Sequence, residues 1–260
     1  MSRKDETRKI GLARALSKLG YCSRSQAAKL IHAGRVRLNG TVQRNMEAAV
    51  RLGSDRIWVD GRPVEPEEKI YLVMNKPRGL VTTTSDEKGR ETIYSLVEGA
   101  SLPWVAPVGR LDKASEGLLL LTNDSDWASR VAAPETHIEK TYHVQINRVA
   151  DDEILAALTR GVTIDRECLR ARSASLLRSG EKNSWLEIVL DEGKNRQIRR
   201  MLAAMGVEVL RVVRAAIGPL QLGTLAKGAW RHLTDEEKNA IDRAMRGGRP
   251  SRRERLQRYE

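Results

Sequence analysis

Four short apolar segments constrain the fold of this chain more than any other feature of its sequence. They cover residues 70–74, 118–121, 141–146 and 185–190. Each is typical of a strand, and the connections between them are uneven. Some connections are too short for the crossover helix that a parallel pair needs, and helical patterns follow Ala150 and Lys194. The pattern predicts an α+β fold whose larger part is a mixed, mainly antiparallel sheet.

A smaller unit of different character precedes these strands. Leucines at helical spacing stop at Gly20, and Ser23 with Gln26 forms a capping-box pattern that begins a second helix. Asn39-Gly40 and Asp60-Gly61 are typical two-residue hairpin turns. The sequence therefore predicts two short helices packed on a small hairpin sheet.

A polar segment with a proline and an arginine-rich segment predict the domain boundaries. Glu65-Pro66-Glu67-Glu68 is a polar segment with a proline, which favours a linker. We expect a small domain over residues 8–64 and a larger one over residues 69–240. The arginine-rich segment 246–260 is typical of a flexible basic tail.

The positive charge of the chain is concentrated at its two ends. There are 46 Lys and Arg against 34 Asp and Glu, for a formal net charge of +12. Residues 1–62 carry +9 and residues 246–260 carry +4, whereas the segment between them carries −1. Such segregation is typical of a surface that binds a polyanion. Nucleic acid is favoured over a membrane, since no basic amphipathic helix with aromatic anchors is present.

Several classes of protein are excluded by what the sequence lacks. Cys22 and Cys168 are far apart and the four histidines are scattered, so neither a disulfide framework nor a zinc site is indicated. There is no phosphate-binding glycine loop, nucleophile elbow or dinucleotide fingerprint. No apolar run approaches the roughly 20 residues of a membrane span, and the first residues lack an apolar signal core. We expect a soluble cytoplasmic protein without a metal site.

One loop stands out as a candidate for chemistry. Residues 108–117 contain Asp112 between Arg110 and Lys113, are flanked by glycines, and lead directly into a run of four leucines. Composition and spacing alone allow either an active-site loop or a surface loop with a salt bridge.

The small unit resembles the RNA-binding domain named after ribosomal small-subunit protein S-four. The matching residues are Ser23-Arg24 and the segment Gly-Arg-Val-Arg-Leu-Asn-Gly at 34–40. In that family the second helix and the following strand face RNA, which implies phosphate contacts for Arg24, Lys29, Arg35 and Arg37. The alternative is that these are ordinary solvated charges of a helix surface.

The larger part resembles the ribosomal RNA pseudouridine synthases that carry such an N-terminal domain. The long signature is residues 109–124, and three further motifs follow the family's order at 76–79, 140–142 and 193–201. Ser125 and Leu202 depart from the usual glycine and phenylalanine, which affects turn geometry and packing but no expected catalytic position. The resemblance implies a central cleft and cofactor-free isomerisation of an extruded uridine.

Three catalytic roles follow from this resemblance. Asp112 matches the essential aspartate, which acts as a nucleophile on the sugar or as a base; the sequence does not choose between these. Arg199 matches the arginine beside it, and helical periodicity puts Arg199 at the border of an apolar stripe from which it could keep the carboxylate ionised. Tyr142 matches the tyrosine that stacks on the flipped uracil. The alternatives are a surface arginine for Arg199 and plain core packing for Tyr142.

The remaining basic residues of the motifs are assigned to RNA. We expect Arg110 to contact the RNA backbone or to fill the space that the flipped base leaves. Lys76 and Arg78 are expected to hold phosphates near the cleft. Arg196 and Arg200 are also expected to bind RNA. We expect a monomer whose partner is ribosomal RNA or an assembly intermediate, with 23S RNA favoured over 16S RNA.

Two other functions compete with this interpretation. One is a non-catalytic RNA-binding protein of ribosome assembly that keeps the synthase fold. The other is a carboxylate-metal nuclease, which is disfavoured because only Asp124 and Asp126 lie close together in the sequence near the signature.

Overall fold

The computed structural model describes residues 9–83 and 89–247, and it forms two compact units. The first unit contains the described residues up to Tyr71, together with Gly99–Ala106 and Leu121–Trp127. The second contains the described parts of Leu72–Glu98, Pro107–Leu120 and the chain from Ala128 onward. The segment 65–68, expected to be a linker, belongs to the first unit.

The first unit has the two helices and the hairpin strands that the sequence predicts, and in addition a pair of two-residue strands at 10–11 and 49–50. They are β1 Ile10–Gly11, α1 Leu12–Lys18, α2 Arg24–His32, β2 Val36–Leu38, β3 Thr41–Gln43, β4 Ala49–Val50, β5 Ile57–Val59 and β6 Arg62–Pro63. The capping box is present, since Ser23 Oγ accepts from the Gln26 amide and the Gln26 side chain accepts from the Ser23 amide. Both hairpin turns have two residues with positive φ, which is the geometry that Asn-Gly and Asp-Gly favour.

The second unit holds most of one large sheet and its helices; Tyr71, Ala106 and residues 121–122 and 125–127, at the ends of four elements, belong to the first unit. The strands of the large sheet are β7 Tyr71–Lys76, β8 Ala106–Val108, β9 Glu116–Thr122, β10 Lys140–Ile146, β13 Ser173–Ser179, β14 Ser184–Leu190, β15 Val209–Ile217, β16 Leu220–Gln221 and β17 Trp230–His232. A separate two-stranded sheet consists of β11 Val162–Ile164 and β12 Glu167–Leu169. The α-helices are α3 Ser125–Ala132, α4 Asp152–Arg160, α5 Gln197–Ala204 and α6 Asp235–Gly247. Short 3-10 helices cover Ile93–Leu96 and Pro134–Thr136.

The sheet is mixed, as predicted, and mainly antiparallel. Its strand order is β13-β14-β10-β15-β9-β7-β17, with β16 beside β15 and β8 beside β9. Strand β10 pairs antiparallel with both β14 and β15, whereas β15 and β9 run parallel. The α+β prediction is therefore confirmed.

Apolar packing fixes helix α5 against this sheet. Ile198, Met201 and Leu202 are buried together with Val144 of β10 and Ile188 of β14 in one core cluster. The helical stripe that the sequence predicts is thus the face that packs on the sheet. Because α5 is anchored in this way, the residues at its start have defined positions.

Gly117 allows strands β9 and β15 to approach each other. A Cβ atom at Gly117 would lie 2.3 Å from the Arg214 carbonyl oxygen and 2.7 Å from its amide nitrogen, and φ is +103°. No residue with a side chain fits this backbone or this space. The glycine of the signature therefore serves the pairing of two central strands.

The structure also contains elements that the sequence analysis did not predict, among them strand β13 and helix α3. Strand β15 was not predicted, because Arg211 and Arg214 interrupt its apolar pattern. Helix α6 extends beyond the predicted domain end at residue 240 and includes Arg246 and Gly247, which were assigned to the tail. Residues 248–260 of that tail lie outside the described residues.

Within the described ranges, no helix combines the length and the apolar character needed to cross a membrane. In the same ranges no three side chains of His, Cys, Asp or Glu cluster in a way that could hold a metal ion.

Candidate active site

The second unit contains a cleft of about 550 Å³ on one face of its sheet. The walls are the loop between β8 and β9, the segment that leads into α5, and parts of β10 and β15. Six basic side chains line it against two acidic ones; the basic ones are Arg110, Lys140, Lys194, Arg196, Arg199 and Arg214, and the acidic ones are Asp112 and Glu192. The cleft is therefore electropositive although the middle of the chain is nearly neutral, which suits an anionic substrate.

Asp112 lies in the loop between β8 and β9, and its side chain is 34% exposed. The loop is closed by a turn in which the Ser115 amide donates to the Asp112 carbonyl at 2.9 Å. Thr82 Oγ1 donates to the Leu111 carbonyl at 2.7 Å, and the Gly79 amide donates to the Lys113 carbonyl at 2.8 Å. The carboxylate is thus held at the cleft by backbone contacts on both sides of it.

Lys76 is completely buried beneath this loop. Its Nζ donates to the carbonyls of Asp112 at 3.3 Å, Ser115 at 3.0 Å and Pro77 at 3.0 Å. Burial lowers the pKa of Lys76 to about 8, while the charges of Asp112 and Glu116 oppose the shift. The expectation that Lys76 holds RNA phosphates is therefore wrong, since a phosphate cannot reach a side chain with no exposed surface; Lys76 positions the loop instead.

The cation nearest to the Asp112 carboxylate is Arg196. Its Nη1 lies 3.9 Å from Asp112 Oδ2, and its side chain is half exposed. Arg196 is the N-cap of α5 and has a left-handed backbone with φ +48° and ψ +33°. A non-glycine residue in this conformation is strained, and such strain is often found at functional sites. Arg196 was assigned to RNA binding; its position gives it a direct electrostatic role toward Asp112 as well.

Arg199 contacts the backbone of the Asp112 loop. Its Nη2 donates to the Ala114 carbonyl at 3.3 Å and its Nη1 to the Val209 carbonyl at 3.0 Å. Burial, followed by the positive charge of Arg196, lowers the pKa of Arg199, whereas the charge of Asp112 raises it. Arg199 is half buried, as the helical pattern predicts, but it is not the residue that forms the ion pair with Asp112 in the structure. The helical pattern covers only residues inside α5, so it could not indicate Arg196, which precedes the helix.

Tyr142 lines the same cleft from β10. It lies opposite Ile188 of β14 and Arg214 of β15, and a register shift between Thr141 and Tyr142 interrupts the β10–β15 pairing at this point. Irregularities of this kind redirect side chains and are common beside active sites. Tyr142 also packs against the core, so its two predicted roles, stacking and core packing, are compatible.

The other basic residues of the motifs differ in their positions. Arg110 is exposed and lines the cleft. Arg78 is exposed, and its charge acts on Arg199. Arg200 is not among the cleft-lining residues and instead donates to Glu167 of β12 at 3.0 Å. The RNA-binding assignments of these three residues stay predictions.

In the first unit, the four residues assigned to RNA are all exposed. Arg24 and Lys29 lie on α2 and Arg37 lies on β2. Arg35 forms a two-pronged ion pair with Asp60, at 2.8 and 2.5 Å, so part of its charge is already neutralised. Arg24, Lys29 and Arg37 are therefore the stronger candidates for phosphate contacts.

Three basic residues of the cleft, Lys140, Lys194 and Arg214, received no role from the sequence. Lys140 belongs to a quoted motif, but only its tyrosine was assigned; Arg214 lies on the strand that was not predicted. The β-branched residues Val209, Val212 and Val213 are the signal that could have indicated that strand.

Comparison with known proteins agrees with this geometry. A family model described as RNA pseudouridylate synthase matches residues 70–204, and an S4 domain model matches residues 10–57. The chain belongs to the RNA pseudouridine synthase family. It is 37% identical over 238 residues, 91% of this chain and 95% of the relative, to a protein of Aquifex aeolicus named an uncharacterized RNA pseudouridine synthase.

Two further relatives support the family assignment. A Bacillus subtilis protein named ribosomal large subunit pseudouridine synthase B is 36% identical over 229 residues, which are 87% of this chain and 93% of the relative. A crystal structure described as a pseudouridylate synthase is 30% identical, with a TM-score of 0.63 over 89% of this chain and 99% of that one. These similarities confirm both the family of the larger domain and the S4 domain before it.

Replacing Lys76 by Met should loosen the Asp112 loop, because the Asp112 and Ser115 carbonyls of that loop lose their donor. We expect the free energy of unfolding to fall by about 2 kcal/mol or more and kcat to fall at least about tenfold. In the wild type, kcat should also decline as the pH rises through about 8, where Lys76 loses a proton and with it one of its three donors. Chemical denaturation and a pH profile of kcat measure these effects.

The matched control is Lys182→Met, which removes an exposed lysine between β13 and β14. This variant should leave the free energy of unfolding and kcat unchanged. A Lys76→Met protein with wild-type kcat and a wild-type alkaline decline would show that the loop does not depend on this side chain.

Proposed function

We propose that this protein converts a uridine of large-subunit ribosomal RNA to pseudouridine, with Asp112 as the catalytic carboxylate. The observation that carries the proposal is a carboxylate, about one-third exposed and fixed by its loop, in a cleft whose charged lining residues are mostly cations. RNA supplies the anionic substrate that such a cleft favours. The proposal extends to this chain the substrate that appears in the name of the Bacillus subtilis relative.

The reaction moves a sugar from one atom of the uracil to another. The bond between C1′ and N1 breaks, the uracil rotates, and C5 bonds to C1′. The proton on C5 is lost and N1 takes up a proton, so no atom is gained or lost overall. Asp112 either attacks C1′ or removes a proton from the neighbouring sugar carbon, and both routes need the ionised carboxylate.

The neighbouring residues have distinct parts in this proposal. Arg196 places a positive charge 3.9 Å from the carboxylate, and Arg199 holds the loop through the Ala114 carbonyl. Tyr142 provides an aromatic face for the extruded base, worth about 1–3 kcal/mol in single-stranded complexes. Arg110, exposed beside Asp112, is suited to contact the RNA backbone or to fill the space that the base leaves. A monomer and a cytoplasmic location stay predictions.

Replacing Asp112 by Asn should abolish the reaction, because the amide has nearly the same shape but carries no negative charge. We expect release of tritium from C5 of labelled uracil in ribosomal RNA to fall at least about 1,000-fold. RNA binding should persist in the variant, as measured by filter retention. Asp165→Asn, at an exposed turn, is the matched control and should release tritium at the wild-type rate.

Two outcomes would contradict the proposal. If the wild type released no tritium from ribosomal RNA, the protein would not act on that substrate. If Asp112→Asn released tritium as fast as the wild type, Asp112 would not be the catalytic carboxylate. A role in ribosome assembly without catalysis predicts that Asp112→Asn complements a deletion strain.

The first unit should supply affinity that depends on salt. The double variant Arg24→Gln with Lys29→Gln removes two exposed charges of α2. Each lost phosphate contact should reduce the slope of log K against log salt concentration by roughly 0.7 to 0.9. Fluorescence anisotropy over a salt series measures this slope. Arg160→Gln with Lys182→Gln removes the same charge from exposed sites of the second unit, and an equal reduction there would argue against a specific role of α2.

A further inference from the structure

Arg214 is a buried guanidinium whose donors are mostly unused. Only 5% of the residue is exposed, and it lines the cleft from β15. Its Nε donates to the Leu118 carbonyl at 2.7 Å, but its buried Nη2 has no acceptor among the described residues. Buried polar atoms are nearly always paired, and leaving a charged group without partners is costly. The position of Arg214 in the cleft wall indicates that a ligand supplies the missing acceptors.

Lys140 provides a second cation beside it. Lys140 and Tyr142 are two residues apart on β10 and therefore share a face of the sheet, and Arg214 lies opposite Tyr142 on β15. Among the described residues, no hydrogen bond or ion pair engages the Lys140 ammonium. Burial, followed by the charge of Arg214, lowers the pKa of Lys140, while Asp191 raises it. Two cations that repel each other in a sheltered cleft are typical of a site that binds negative charge.

The acidic groups that line the cleft do not neutralise this pair. Asp112 has its ion pair with Arg196. Glu192 accepts from Gln197 and lies 3.2 Å from Lys194. Asp191 acts on Lys140 but forms no hydrogen bond or ion pair with it in the described structure. The Arg214–Lys140 pair therefore retains free positive charge.

We propose that Arg214 and Lys140 bind a carbonyl oxygen of the extruded uracil and stabilise the negative charge that the base acquires. This inference rests on the proposed function. A phosphate is a poor candidate, because phosphates stay in the RNA chain at the mouth of the cleft, whereas a flipped base extends inward. A uracil stacked on Tyr142 would have its edge near Arg214, which lies across the strand pair from that tyrosine.

The chemistry of the reaction requires such a site. When the C1′–N1 bond breaks, its electron pair stays on the uracil and is shared among N1, O2 and O4. Fixed cations in a cleft that excludes much of the water stabilise this charge far better than water does. The charge is discharged when C5 bonds to C1′; the proton of C5 then leaves and N1 takes up a proton, so the base stays neutral. The pair would therefore stabilise the transition state more than the bound substrate, so its loss should lower kcat more than it raises KM.

Single variants test the role of the pair. Lys140→Met and Arg214→Gln should each lower kcat by about 10²- to 10³-fold with a smaller change in KM, whereas Lys182→Met should not. Arg214→Gln also removes the hydrogen bond to Leu118, so its fold is checked by denaturation. Lys140→Met removes no hydrogen bond of the described structure, so wild-type kcat in that variant would overturn the role of Lys140.

Thio-substituted RNA tests the contact itself. Synthetic RNA covering the modified uridine is prepared with 2-thiouridine or 4-thiouridine at that position, because sulfur accepts hydrogen bonds more weakly than oxygen. At least one of the two thio-substitutions should lower the kcat of the wild type. The same substitution should lower the already reduced kcat of Arg214→Gln and Lys140→Met much less. Thio effects that are the same in all proteins would overturn the proposal. Failure of the proposed function is distinct, since the wild type would then form no pseudouridine in the unmodified RNA.

Discussion

The buried ammonium of Lys76 is the contact on which the geometry of the candidate site depends. It joins the end of β7 to the loop of Asp112 through the carbonyls of Asp112 and Ser115, and it also donates to the carbonyl of the adjacent Pro77. A lysine is rarely buried completely, because its charge must be paired or saturated with hydrogen bonds. Here three carbonyl dipoles provide that saturation. As a result, a carboxylate on a loop, which would otherwise sample many positions, is fixed at the cleft.

The second constraint is the close pairing of β9 with β15. Gly117 leaves room for the backbone of Arg214, and the Arg214 side chain returns a hydrogen bond to Leu118 of β9. The loop of Asp112 therefore leads directly into a strand that is tied at two points to its neighbour. The same pairing brings Arg214 to the cleft. One glycine thus links the position of the carboxylate to that of the buried guanidinium.

Local features of the site and fold could be predicted from the sequence, whereas contacts between distant segments could not. The capping box of α2, the two hairpin turns and the apolar stripe of α5 each depend on residues within a few positions of one another, and all are present. The burial of Lys76 depends on carbonyls about 40 residues away, which no local pattern encodes. The signature motif indicated Asp112 only because of its family resemblance, since its composition equally allowed a surface loop.

The ion pair of Asp112 illustrates the same limit. Helical periodicity placed Arg199 at the edge of the apolar face, where the structure has it, but the nearer cation is Arg196. Arg196 reaches the carboxylate from a left-handed residue before the helix, and an arginine is not expected in that conformation. Arg214 was missed because charged residues within a central strand disguise its apolar pattern. The cleft thus contains several residues whose positions local sequence patterns do not predict, which is expected at functional sites.

A crystal structure with RNA that carries 5-fluorouridine at the target position tests the central claim most directly. Fluorine replaces the hydrogen that must leave C5, so the reaction should stall with the nucleotide in the cleft. The account predicts an extruded base on the ring of Tyr142 and an Asp112 carboxylate oxygen bonded to, or within about 3.5 Å of, the sugar at C1′ or C2′. A target base still stacked in the RNA, or an Asp112 carboxylate remote from that sugar, would contradict it.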